Sequence, residues 1–490
     1  MSLVSILIQT SRRLAIVSLL GASTIARADE IPPDHPRHDV HGQAFQLKQF
    51  QVVGGSEQAA IDYYKNVVSV QVAVAPPDAI LTTTIADMLT YFGYANVKSR
   101  DLHALTSEQL MALGSGEEIL AIRFFAPKIT DVADKAIDLP AGGFGWRKLV
   151  RFKARAGSPA ETAGMATLYV LQNTFEATAT GDPFDPDRNF SNFNQVIVTR
   201  KLGTGPYNAD KRPSFFLTYG PFIKLDGSGH PAKVDGEFQD DGLLIFNLNA
   251  TFDENDRDPE TSSGPQSYFV PDSCQQCHGG ISAARGKVNY LDTDHWFDRV
   301  FPAYGLTDTK YSEEDFTALA ESPFGILYDG GKDTSSAAFA SAFDRIRRFN
   351  EEVSLQNADI PGSNNFQLRA VTRWLELHKP QAFGVNHVPP AERGFGDELW
   401  NPASESDRKL VYYLNRYCYR CHSSVLYNVF DRAAVKAKAS SGAIEERTTD
   451  ISNPGYWMPQ DRIFPGLVIN QGVPDATEDL REFLDLLDAM

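Results

Sequence analysis

The chain has 490 residues, 42% hydrophobic and 22% charged, a balance that excludes an intrinsically disordered chain and supplies a sizeable core. Its net charge of −17 excludes the basic footprint that nucleic-acid binding requires. At ~150 residues per domain, the length predicts about three domains.

Residues 1–28 read as a secretory signal peptide. Arg12-Arg13 forms a positive start, residues 14–26 an apolar run too short to span a bilayer, and Ala26-Arg27-Ala28 a cleavage site before Asp29. Removing Arg12, Arg13 and Arg27 moves the net charge from −17 to −20. No later stretch is apolar enough to cross a membrane, so a soluble periplasmic protein without a transmembrane anchor is expected. Residues 29–45 carry Asp34, His35, His38, Asp39 and His41. They read as a flexible N-terminus, with metal binding as the alternative.

The expected fold class is α+β, with a β-rich domain over 46–270 followed by mainly helical segments. Val68, Val70, Val72 and Val74 alternate with Ser69, Gln71 and Ala73, which predicts a strand. Leu81, Ile85, Met88, Leu89 and Phe92 repeat at helical spacing, and Gly93 stops that helix. Thr106 and Gln109 form a capping box for a helix to Leu113. Strands are predicted at 119–125, 149–154, 167–171, 196–199, 215–217 and 243–248, separated by turn signals. In the second of these, Arg147, Arg151, Lys153 and Arg155 share one face, opposite Trp146, Val150, Phe152 and Ala154. The expected reading is a solvated face; the alternative is a site for haem propionates or an anionic substrate. The acidic stretch 253–258 and the group Asp182, Asp185, Asp187 read as solvated turns rather than calcium sites.

Cys274-Gln275-Gln276-Cys277-His278 follows, and Cys418-Tyr419-Arg420-Cys421-His422 repeats its spacing near the end. These are all four cysteines of the chain. C-x-x-C-H is the attachment signature of a c-type haem. Two thiols on one side of a tight turn reach the two vinyl edges of a porphyrin, and the histidine meets its iron. Paired zinc-binding C-x-x-C motifs lie ~15–20 residues apart, whereas Cys274 and Cys418 are 144 apart. A thioredoxin-like pair needs neither the histidine nor a duplicate, and a disulfide across three residues restrains little chain. Two covalently bound haems are therefore expected, with Cys274, Cys277, Cys418 and Cys421 as attachment points and His278 and His422 as proximal ligands. Gly279-Gly280 lets the backbone pass close to a porphyrin face.

Between the motifs, 271–400 is read as the first haem region, helical at 294–300, 312–321, 335–350 and 365–378. In 401–490, Ser404 or Ser406 caps a helix carrying Leu410, Tyr413, Leu414 and Tyr417, which runs into Cys418. An irregular loop with Tyr456-Trp457-Met458-Pro459 precedes a final helix from about Asp475, striped with Leu480, Phe483, Leu484 and Leu487.

Helix, C-x-x-C-H, Met-Pro loop and amphipathic last helix together resemble a class I cytochrome c domain, over roughly 85 residues. The resemblance implies that the first and last helices cross over the haem. Met458 is nominated as distal ligand of the second haem by its soft thioether and its position before Pro459. For the first haem, His295 and His387 are the best-placed distal candidates, and five-coordinate iron is the alternative. The layout is also similar to that of bacterial di-haem cytochrome c peroxidases. Their catalytic residues are not carried over, because the β-rich N-terminal region is foreign to that family.

Three functions follow as expectations. The first is periplasmic electron transfer through two haems, with a redox partner steered by a basic docking face toward this acidic chain. The second is a di-haem oxidoreductase, peroxidase- or oxygenase-like, with the first haem reactive and the second a relay. The third is a carbohydrate- or anion-binding module joined to an electron carrier.

Overall fold

The computed structural model describes residues 57–125, 146–173, 182–185, 194–203, 214–220, 233–234, 237–238, 242–245, 327–331, 336–358, 404–418, 432–449, 467–470, 473–476 and 478–490, with positions 270, 291, 333, 371–372, 374–376 and 400. The architecture is mixed α+β.

The chain begins as helix. Helix α1 (Glu57–Tyr63) passes through a π-helical turn, Tyr64–Val68, into a last turn, Ser69–Gln71. The strand predicted around residues 68–74 is therefore not formed. Ala60, Tyr64, Val68 and Val72 are buried at a spacing of four, whereas Val70 is 48% exposed. The helical period takes the buried face, and the alternating valines are incidental to it. A 3-10 turn at Pro77–Thr82 leads to α2 (Ile85–Tyr91), α3 (Ser99–Ala104) and α4 (Ser107–Ala112). The predicted capping box of α4 is present. Thr106 Oγ1 accepts from Gln109 N at 3.2 Å, and Gln109 Oε1 accepts from Thr106 N at 2.8 Å.

Gly93 ends α2 at φ +94°, a conformation that L side chains adopt at a cost of ~1–2 kcal/mol. A Cβ there would lie 2.9 Å from Arg155 Cβ. Gly93→Ala is expected to cost about 2 kcal/mol or more, measured as a lower urea midpoint at unchanged m-value.

Strands β1 (Ile119–Phe125), β2 (Trp146–Lys153), β3 (Met165–Asn173), β4 (Asn194–Arg200) and β5 (Ser214–Tyr219) form one antiparallel sheet in sequence order. A short helix, α5 (Pro159–Thr162), links β2 to β3. Ile122 opposes Leu149, Val150 opposes Val170, Tyr169 opposes Ile197, and Val198 opposes Phe215. The pleat divides each strand between two faces. One face (Ile119, Ala121, Val150, Phe152, Leu168, Val170, Val198) closes a core with the helices of 57–112. Of the strand expected at 243–248, Leu243 and Leu244 form isolated bridges, and 246–248 lie outside the described residues. The outer edge of β5 is closed by tyrosines. Tyr63 Oη donates to Phe216 O at 3.1 Å and accepts from Phe216 N at 2.9 Å, and Thr218 N donates to Tyr64 Oη at 3.3 Å. Hydroxyls thus occupy edge groups that would otherwise template pairing with another chain.

The other face meets α6 (Ala337–Ala358), whose Phe339, Phe343, Ile346, Phe349 and Val353 pack with Leu120, Ile122, Phe124 and Tyr169. The helix runs eight residues past its predicted end at Asn350. This contact overturns the expectation of a solvated cation face. Arg151 is 2% exposed; its Nη1 donates to Glu352 Oε2 of α6 at 2.6 Å and its Nη2 to Glu117 O. Thr167 Oγ1 donates to the other oxygen of Glu352 at 2.7 Å. Lys153 sits at the rim with Glu117, and Arg155 pairs with Glu118 at 2.9 Å while lying 4.2 Å over the Tyr94 ring. These three cations are neutralised within the chain. A buried arginine is stable only when paired, so Arg151 is a seam between sheet and helix, while Arg155, beyond the end of β2, is held by Glu118, Gly93 and Tyr94.

Candidate functional site

The C-terminal motif is approached by α7 (Glu405–Tyr417). Ser404 caps it: its Oγ accepts from Asp407 N at 3.0 Å, and Asp407 Oδ2 accepts from Ser404 N at 3.2 Å. Leu410, Val411, Tyr413 and Leu414 form its buried side. Cys418 is the C-cap, its N–H donating to Leu414 O at 2.9 Å. The helix therefore ends on the first cysteine of the motif.

Two helices, α8 (Arg432–Ser440) and α9 (Ala443–Thr449), follow where an irregular loop was expected. The stretch from Ala433 to Ala439 holds four alanines, and the high helix propensity of alanine explains the difference. Strands β8 (Leu467–Asn470) and β9 (Val473–Ala476), numbered after the short pair β6 (Lys233–Val234) and β7 (Glu237–Phe238), lead to α10 (Glu478–Asp488).

Helices α7 and α10 pack together. The Tyr413 and Phe483 rings lie 5.7 Å apart. Tyr413 Oη and Lys409 Nζ donate to the two oxygens of Glu482, at 2.8 and 2.7 Å. The hydrogen bond from Lys409, then that from Tyr413, holds the Glu482 carboxyl below its usual range. Arg432 of α8 donates from Nε to Asp407 Oδ1 at 2.9 Å, tying α8 to the start of α7.

Cys418 packs against this helical core, which is continuous with that under α6. Burial pushes its thiol up to about 12. Cys418 closes the helix three residues before Cys421 and four before His422, a donor set whose order fits thioether attachment of a haem. Cys274, Cys277, His278, Cys421, His422 and Met458 lie outside the described residues, as do His295, His387 and residues 253–258. Of the aspartate group, Asp182 and Asp185 form a turn in which Asp182 Oδ1 accepts from Phe184 N at 2.8 Å; Asp187 lies outside. Among the described residues no group of three or more His, Cys, Asp or Glu side chains is placed to hold a metal ion.

A second concentration of charge escaped sequence reasoning. Asp329 has a wholly buried carboxylate that accepts from Arg123 N (2.9 Å), Arg123 Nε (2.7 Å), Arg123 Nη2 (2.6 Å), Ser107 Oγ (2.6 Å) and Arg345 Nη1 (3.4 Å). Arg123 also lies 4.2 Å over the Tyr328 ring. Nearby, Lys148 lies on the apolar face of β2 at 2% exposure. Its Nζ donates to His103 O (3.1 Å) and Leu105 O (2.5 Å), capping the end of α3. No local motif marks these residues, since their partners come from 16 to over 200 positions away.

No family model, curated protein or solved structure matches the chain. Among the described residues, no helix is long and apolar enough to cross a membrane.

Proposed function

We propose that this protein is a periplasmic di-haem c-type cytochrome that passes electrons through two covalently attached haems. The observation that carries the reading is the use of every cysteine in two C-x-x-C-H stretches. Support comes from the second stretch, where a capped helix ends on Cys418 and packs against the last helix of the chain. The chain order is a β-rich part over 46–270, then a first haem region and a cytochrome c-like unit over 401–490.

When bound, each haem supplies an iron that is reduced and oxidised by one electron. The chain's own residues hold it. Cys274 and Cys277, and Cys418 and Cys421, fix the two porphyrins. His278 and His422 would hold the irons, and Met458 would supply a thioether to the second. The acidic chain steers a redox partner with a basic docking face.

The exported protein is expected to carry two haems after denaturation, counted by mass and haemochrome absorbance. Mass without haem, after expression with a cytochrome c maturation system, refutes the reading. Met458→Ala is expected to lower the midpoint potential of one haem and to create a high-spin species, since thioether ligation raises the potential. An unchanged spectrum would remove Met458 from the site.

A second reading, a di-haem oxidoreductase with a reactive first haem, is favoured by one asymmetry: no Met-Pro pair follows Cys277-His278 as it follows Cys421-His422. Carbon monoxide binding by one of the two reduced haems would select it. Two six-coordinate, ligand-inert haems would select electron transfer alone.

A further inference from the structure

Strands β4 and β5 carry three buried hydroxyls that find no hydrogen-bond partner among the described residues: Thr199 Oγ1, Ser214 Oγ and Thr218 Oγ1. Their residues are 1%, 4% and 0% exposed. Register puts all three on the α6 face. Thr199 opposes Ser214 on one side and Thr167 on the other, and Thr167 bonds to Glu352 of α6. Thr218 opposes Gln195, two positions along from Ile197. Tyr169, in register with Ile197, adds a fourth buried hydroxyl without a partner among the described residues.

The other face of the same two strands is apolar, with Val196, Val198, Phe215 and Leu217 in the core under the helices of 57–112. A dry α6 face would be served by the same residue types, since β-branched and aromatic side chains fit a sheet best. A buried hydroxyl left unbonded is destabilising, and buried polar groups in folded proteins are bonded as a rule.

Thr199 and Ser214 are the informative pair. Directly opposed side chains on one sheet face have Cβ atoms ~4.5–5.5 Å apart. One oxygen bonded to both hydroxyls at ~2.8 Å spans up to ~5.6 Å, which matches that separation. Thr167 continues the row to the Glu352 carboxylate, its Oγ1 donating at 2.7 Å and keeping lone pairs to accept. The Glu352 charge is already met by Arg151 at 2.6 Å. The row therefore offers a guest donors and acceptors without an uncompensated charge.

We propose that Thr199 and Ser214 form a binding site for a neutral oxygen that donates and accepts at once. Ordered water and the hydroxyl of a sugar or polyol share that chemistry. The site stands on the sheet alone and is independent of the di-haem reading.

The test uses the full-length exported protein, dialysed free of sugars and polyols, then crystallised with and without glucose as the probe. Both crystals are expected to show an oxygen within ~3.2 Å of Thr199 Oγ1 and of Ser214 Oγ. The same isolated oxygen in both assigns water; a glucose hydroxyl in its place in the second crystal assigns a sugar. Thr199 Oγ1 bonded directly to Ser214 Oγ overturns the proposal, as do two hydroxyls that bond to nothing. In solution, Thr199→Val is expected to lower the urea midpoint at unchanged m-value, because the guest loses a partner. A raised midpoint is the result of deleting an unbonded hydroxyl, and it also overturns the proposal. If Thr199→Val does not accumulate folded, Ser214→Ala is judged by the same criterion.

Discussion

Replacing Asp329 with asparagine is expected to destabilise the protein by ~3–5 kcal/mol, the cost of breaking a buried ion pair by removing one partner. The carboxylate is wholly buried, and its cationic partners Arg123 and Arg345 are only 10% and 7% exposed at the side chain. Asparagine keeps the shape, so no cavity confuses the measurement. It leaves two guanidinium groups facing a neutral amide. The clasp binds four distant parts of the chain, at Ser107, Arg123, Asp329 and Arg345. The thermal midpoint should fall by roughly 10 °C for a core of this size. A control is Glu161→Gln, whose 2.5 Å pair with Lys201 is solvent-exposed on both sides and should cost under ~1 kcal/mol. Equal effects of the two substitutions would dissolve the distinction between clasp and surface pair.

The second large effect is a pH dependence. Desolvation, with the repulsion of Arg123 second, pushes Lys148 down to about 7, and Asp329 offsets only part of this. Geometry agrees. Two carbonyls satisfy the two N–H groups of a neutral amine, and among the described residues no third acceptor meets an ammonium. The unfolded lysine holds its proton up to ~10.4. Between about 7 and that value, the unfolded chain binds a proton that the folded chain does not. Stability therefore rises with pH across this window, by at most ~1.4 kcal/mol per unit, and falls to a lower plateau below 7. Above pH ~10 the buried tyrosines act oppositely. Burial raises Tyr169 and Tyr219, so the folded state keeps protons that the unfolded chain releases there. Urea unfolding at pH 7 and pH 9 isolates the lysine. The wild type should be more stable at pH 9 by roughly 2 kcal/mol, and Lys148→Met should lose that difference. A slope that survives in Lys148→Met would assign it to other groups.

Local chemistry was readable wherever the signal was local. The Thr106–Gln109 box, the Gly93 stop and the serine cap at Ser404 were legible because their partners lie within a few residues, and the strand at Ile119–Phe125 because its own residues carry the pattern. Reading failed where two periods overlapped. At 68–74, alternating valines imitate a strand, but the residues that reach the core sit four apart from Ala60 to Val72. It failed again at Asn350, read as the end of a helix. The chain runs on to Ala358 because the Asn350 amide is spent on Leu291.

The cation row shows the limit most clearly. Sequence placed Arg147, Arg151, Lys153 and Arg155 along one side of a strand; the strand ends at Lys153, and Arg155 turns onto Tyr94 beside the other core. What the face meets was not in the pattern, because Glu352 lies 201 positions from Arg151. Lys148 was passed over for the complementary reason: its carbonyl partners carry no side-chain identity to read.

By itself the sequence determines the two C-x-x-C-H stretches, because their chemistry depends on three residues within five positions. It also determines the capped helix that ends on Cys418 and the amphipathic stripe of the last helix. Only the tertiary structure decides which charges are buried, which face of the sheet α6 covers, and that Asp329 and Asn350 serve as joints. Those outcomes depend on contacts between residues tens to hundreds of positions apart, where burial multiplies the worth of each charge and hydrogen bond.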